Sequence, residues 1–133
     1  MIKKVIEANG FIIAIINSDG PIITDAQTML DLLATVNYDD DSSRIVINKE
    51  AIIEDFFKLS TGLAGEILQK VVNYRKKLSI VGDFSCYKSK PLHDFIYECN
   101  NGRDIFFVGT EQEAIDKLSG TKGNLIEIGA FNK

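Results

Sequence analysis

The 133-residue sequence contains two cysteines and one histidine. That is too few for a disulfide scaffold or for the four-ligand set of a structural zinc site. The longest apolar run is Phe11–Ile16, whereas a membrane-spanning helix needs about 20 such residues. Cations do not dominate: 15 Lys and Arg stand against 19 Asp and Glu, a formal charge of −4. A general nucleic-acid binder, which needs clustered cations to meet phosphates, is excluded on that balance. The chain is not short of apolar residues, at 45%, so it is no acidic disordered tail. At the start, Lys3 and Lys4 precede Val5 and Ile6, but Glu7, Asn9 and Gly10 interrupt before the apolar segment of a secretory signal forms. A cytoplasmic protein is expected, with reduced thiols at Cys86 and Cys99.

What is present is one domain over residues 1–133, a length suited to a single core. Residues 2–8 and 11–17 are β-rich and flank Asn9-Gly10, the strongest short hairpin signal, because both positions tolerate positive φ. The second of these strands is almost continuously apolar and so should be buried on both faces. Thr24 or Asp25 caps a helix running to about Val36, with Ala26, Met29, Leu30, Leu33 and Ala34 at helical spacing. Asp39 to Ser43 reads as a solvated loop, and lacks the alternating ligands, Gly and distal Glu of a calcium loop.

Arg44–Asn48 is a short buried strand, followed by an irregular crossing through Ile52, Ile53, Phe56 and Phe57. Ser60 or Thr61 is the natural cap of a helix whose face is Leu63, Ile67, Val71 and Tyr74. Arg75, Lys76 and Lys77 close it, cations where the dipole favours them. A strand follows through Leu78–Phe84. Ser89 then caps a helix with Pro91 in its first turn and Leu92, Phe95, Ile96 and Cys99 inward. Asp104–Val108 is a further strand, and Thr110 with Glu113 forms a capping box for a last helix ended by Gly120 and Gly123. Leu125–Ile128 suits a short terminal strand. Alternating helices and strands packed on a mixed β-sheet, with the N-terminal antiparallel hairpin at its start, define an α/β fold.

No reaction is legible. The only histidine, His93, has no nucleophile-elbow serine to serve. Gly62-Leu63-Ala64-Gly65 lacks the Lys-Ser/Thr ending of a phosphate loop. No catalytic residue, metal ligand or cofactor is assigned.

Two resemblances bear on the fold. Leu59-Ser60-Thr61-Gly62-Leu63, then Ile67-Leu68, then Leu78-Ser79-Ile80-Val81, resembles the strand, Asp-Ser-Ser-Gly-Leu loop and helix of sulfate-transporter and anti-sigma-factor-antagonist (STAS) domains. That resemblance implies a STAS-like sheet and a loop serine that a partner kinase phosphorylates; the acidic residue before that serine is Leu59 here. The longer string Phe56 to Lys70, with Asn73-Tyr74-Arg75 and Gly82-Asp83-Phe84-Ser85, resembles an uncharacterised bacterial family, domain-of-unknown-function family 4180. No activity comes with that family.

The junction at residues 60–66 carries the functional expectation. A helix start exposes backbone N–H groups and about half a positive charge, and Gly62 and Gly65 leave room for close approach. The bland alternative is a cap plus tight helix packing. The first functional reading is a non-enzymatic regulatory or protein-binding module, docking a regulator or kinase-like protein. It would use Ser60, Thr61, Gly62, Gly65 and Glu66, with Gln69 on the exposed side of the helix. The second is a small-molecule or anion-binding protein, or an enzyme, using a cleft around Ser60, Asp83 and Ser85. A homodimer is a third form of partnership; nucleic acid and membrane are not expected partners.

Overall fold

Three consecutive crossovers between parallel strands, all of one hand and advancing in one direction, put their helices on the same face of a sheet. The computed structural model describes residues 1–120 and has this arrangement. Strands β1 (Ile2–Ala8), β2 (Phe11–Asn17), β3 (Arg44–Asn48), β4 (Lys77–Val81) and β5 (Ile105–Val108) lie in the order β1-β2-β3-β4-β5. β1 and β2 are antiparallel; every later pair is parallel. The helices are α1 (Ala26–Asp40), α2 (Leu63–Asn73), α3 (Lys90–Asn100) and α4 (Glu111–Ser119). The expected mixed α/β sheet with its N-terminal hairpin is therefore the fold. Leu125–Ile128 and Gly123 lie outside the described residues.

Alternation along the strands divides the core in two. Ala14, Ile16, Ile45, Ile47, Leu78, Ile80, Ile105 and Phe107 meet α1, α2 and α3 on one face. Ile13, Ile15, Val46 and Phe106 meet Ala114 and Leu118 of α4 on the other. β2 is thus covered on both sides, as its unbroken apolar run requires. Each fully buried Ile contributes about 1.5–3 kcal/mol over an exposed one. The hairpin turns on Asn9 and Gly10 at φ 53° and 84°, pairing Ala8 with Phe11.

Several details depart from the sequence-based expectations: β4 ends at Val81 rather than Phe84, where Asp83 turns back onto Ser85, and Tyr74 is exposed just beyond α2 rather than on its inner face. α1 continues past Val36 to Asp40, because Lys3 on β1 reaches Asp40 at 2.7 Å and Asp39 at 3.9 Å. Of the two caps the sequence offers, Asp25 is the one used, taking the Thr28 N–H at 2.9 Å. The segment Asp39–Ser43 is not simply solvated loop: Asp41 closes the helix at φ 52°, and Ser42 is buried, its hydroxyl within 2.8 Å of the Ile12 carbonyl and 2.9 Å of the Arg44 carbonyl.

Candidate functional site

Parallel strands open at their carboxyl ends, where connecting loops gather side chains from distant parts of the chain. Here β3 runs out at Asn48 into three short 3-10 turns, Lys49–Ala51, Glu54–Phe57 and Leu59–Thr61. Phe56 and Phe57 anchor this crossing, both buried, with ring centroids 4.8 Å apart. The expected irregular crossing is thus a chain of tight turns pinned by aromatic rings.

Its last turn delivers Ser60, Thr61 and Gly62 to α2. Neither hydroxyl caps the helix as expected: the cap position is Gly62, at φ 79°, with no side-chain cap bond. Thr61 is committed to the turn itself. Its Oγ1 lies 2.9 Å from the Asp55 carbonyl and 2.8 Å from that of Lys58, between which its proton is shared, and it accepts from Leu63 N–H at 3.2 Å. The reason is geometric: a residue must turn left-handed to join a 3-10 turn to α2, and Gly62 does so without the Cβ penalty. Ser60, Thr61, Gly62, Gly65, Glu66 and Gln69 are all exposed. A Cβ on Gly65 would meet nothing within 4 Å, so tight packing on the sheet does not explain that glycine. Gln69 donates to Asn73 one turn on, at 2.7 Å.

The facing wall comes from the β4–α3 connection. Asp83 Oδ1 accepts from Ser85 N–H at 3.0 Å and from its hydroxyl at 2.6 Å, the local loop cap that such a pair makes. These bonds hold the Asp83 carboxyl below the usual aspartate range, with a smaller push from Lys49. Ser89 caps α3 through the Leu92 N–H, with Pro91 in the first turn. His93 turns its Nε2–H to the Tyr87 carbonyl at 2.6 Å, which ties the loop to α3 and leaves the ring nitrogen engaged there rather than on a serine.

Between the two walls lies a groove of about 400 Å³, lined by Phe57, Leu59, Ser60, Tyr87, Ser89 and Pro91 with the exposed Lys58 and Lys88. Phe57 and Tyr87 stack at 5.1 Å in its floor. The Tyr87 hydroxyl is buried within reach of Lys49 and Glu54, with no well-formed hydrogen bond to either. Burial pushes its pKa up, while Lys49 and Glu54 act on it with opposite signs. Lys49, whose Nζ stands 5.1 Å from the Tyr87 ring centre, is in turn raised first by that hydroxyl.

Ser60 therefore lines this groove together with Tyr87 and Ser89, whereas Asp83 and Ser85 pair with each other and do not line it. Gly62, Gly65, Glu66 and Gln69 continue from Ser60 along α2, outside it. Lys49, Lys58, Tyr87, Lys88 and Ser89 were not singled out as site residues from sequence. Only Ser89 has a local signal, its place before Lys90-Pro91. No group of His, Cys, Asp and Glu suited to a metal ion occurs among the described residues, and none of their helices is long and apolar enough to cross a membrane.

No curated protein and no solved structure matches this chain. The long string from Phe56 to Lys70 lies wholly inside the one family match, which spans residues 8–118 and so takes in every strand from β2 onward, both walls of the groove and nearly all of α4; the chain belongs to the domain-of-unknown-function family DUF4180.

Proposed function

We propose that this protein is a non-enzymatic binding module that docks an extended, acidic peptide segment of a protein partner. The peptide would lie in the Ser60 groove and along the exposed start of α2. The observation that carries this reading is the groove itself: an aromatic floor of Phe57 and Tyr87, a rim bearing Lys58 and Lys88, and hydroxyls of Ser60 and Ser89 on opposite walls. Its volume falls in the range of binding clefts, about 300–1,000 Å³. An apolar peptide side chain suits the floor, and carboxylates suit the two lysines. Ser60 makes no bond that the turn needs, so it is available to a partner or to a partner kinase, the role that a STAS-like reading of the fold gives it. A phosphate there would place about two negative charges at the groove and repel an acidic peptide. The protein would work in the bacterial cytoplasm.

The test is an NMR titration of the isotopically labelled full chain with two capped decapeptides, one of alternating Leu and Asp, the other of Leu and Lys. The acidic peptide should shift the amides of Ser60, Tyr87 and Ser89. The basic one should not. Lys58→Glu with Lys88→Glu should abolish the shifts. Shifts from inorganic phosphate as large as those from the peptide would favour the small-anion reading instead. No shift at these amides, or shifts indifferent to the double reversal, would overturn both.

A further inference from the structure

At the opposite end of the sheet, on the face covered by α4, the amino ends of β3 and β4 and the approach to β5 border a second, open hollow of about 330 Å³. Four cations line it, Arg44, Lys77, Arg103 and Lys117, together with the rings of Phe11 and Phe106. In a chain of net charge −4 this concentration is unexpected. One carboxylate offsets it: Lys77 meets Asp104 at 3.0 Å. Arg44, Arg103 and Lys117 have no carboxylate partner among the described residues.

Arg44 is the informative member. Its guanidinium lies 3.7 Å over the Phe11 ring and donates to the Leu118 carbonyl at 3.0 Å. It is half-buried, and burial pulls its pKa below the usual arginine value. The bond to Leu118 explains Arg44 as a cap on the carboxyl end of α4. It explains neither Arg103 nor Lys117, whose ammonium stands 5.6 Å from the Phe106 ring centre. Arg44, Arg103 and Lys117 thus line one hollow beside a single carboxylate among the described residues, Asp104, an arrangement that a multiply charged anion would complement.

We propose that this hollow binds a small organic phosphate monoester carried on a flat, apolar body. Planar guanidinium groups match phosphate oxygens two at a time. Three cations with no carboxylate partner among the described residues suit a dianion better than a single carboxylate. Phe11 and Phe106 supply apolar walls for the ring. The site is separate from the Ser60 groove in both sheet end and sheet face, so the two proposals stand or fall apart.

The full chain is titrated at pH 7.5 and low ionic strength with phenyl phosphate, inorganic phosphate and benzyl alcohol, followed by calorimetry and by the amide shifts of Arg44, Lys77 and Lys117. Phenyl phosphate should saturate these shifts and bind about tenfold more tightly than inorganic phosphate. Benzyl alcohol should not move them, and high salt should weaken phosphate binding through screening. Arg103→Gln and Lys117→Gln lie on exposed side chains and should each weaken binding about tenfold with unchanged thermal unfolding. Arg44→Gln is expected to weaken binding too, but also to loosen α4, which is why the exposed pair decides. Absence of saturable binding overturns the proposal. So does equal affinity for inorganic phosphate, or binding that survives the Arg103→Gln, Lys117→Gln double variant.

Discussion

Gly82, the first residue beyond β4, lies so close to Lys49, the first beyond β3, that a Cβ at position 82 would come within 2.7 Å of the Lys49 Cβ and 2.9 Å of its Cδ. The Cβ is fixed by the backbone and cannot swing away as an ammonium can. Gly82 is also held in place, donating its N–H to the Val108 carbonyl at 2.9 Å. Gly82→Ala must therefore move the Lys49 segment, at a cost of about 1–3 kcal/mol. Because Lys49 stands over Tyr87, the groove floor should move with it. Urea unfolding followed by circular dichroism measures the loss; an unchanged midpoint would contradict this packing.

Ser60 and Thr61 look equivalent in sequence and are not equivalent in the fold. Thr61 ties together Asp55, Lys58 and Leu63, whereas the Ser60 hydroxyl lines the groove. Thr61→Ala should cost about 1 kcal/mol by removing the hydroxyl's bonds, although the Asp55 and Lys58 carbonyls each keep a backbone N–H. Ser60→Ala should stay within about 0.5 kcal/mol, as surface changes do. Gly62→Ala, at φ 79°, should cost about 1–2 kcal/mol from the left-handed backbone. Parallel denaturation curves of the three variants test the ranking, and a Ser60→Ala loss matching that of Thr61→Ala would return Ser60 to a purely structural role.

What the sequence makes legible are features written within a few residues. The Asn9-Gly10 turn, the Ser89 cap with Pro91, and the Thr110–Glu113 capping box all stand where local chemistry puts them. The α1 terminus is not written locally, since its last turn meets Lys3 from 37 residues upstream. The α2 cap is not legible for a different reason, since a serine or threonine before a helix is the ordinary cap, and the preceding 3-10 turn took the Thr61 hydroxyl first. Neither cluster of cations was visible. Arg44 and Lys117 share a hollow only because α4 packs on the sheet, and Lys58 and Lys88 share a groove only because two distant connections lie side by side, neither of which marks local spacing. The pairing of Asp83 with Ser85 could be read directly; that Ser60 shares a groove with Ser89 instead could not.

Ser79 sits at the centre of β4, facing α4 beside Val46 and Phe106, fully buried and with its hydroxyl unpartnered among the described residues. Strand backbone bonds on both sides occupy its main-chain groups, so the hydroxyl was desolvated without return. Ser79→Ala should stabilise the protein by about 1 kcal/mol, the cost of an unsatisfied buried hydroxyl less the small loss of packing. Thermal unfolding reads the gain, and a clear loss would mean that the hydroxyl has a partner in solution.

The Asp83–Ser85 pair predicts an acid-side effect whose sign can be worked out. Both Ser85 bonds favour the charged carboxylate, the hydroxyl more than the backbone N–H, and so lower the folded pKa below the ordinary 3.8. A lowered folded pKa means that the protonated form is the weaker partner. The loop cap is therefore fully present above the ordinary aspartate range and is lost as pH falls through the lowered value. Asp83 is exposed, so the effect is one of loop order rather than of global stability. In Ser85→Ala the carboxyl pKa should rise, and the loop should loosen at a higher pH than in the parent. Lys49→Met should raise it less, since the lysine acts only through its field. Carbon-13 titration of the Asp83 carboxyl in the three proteins measures the order directly. A larger rise from Lys49→Met than from Ser85→Ala would show that Asp83 belongs to the Lys49–Tyr87 cluster and not to its own turn.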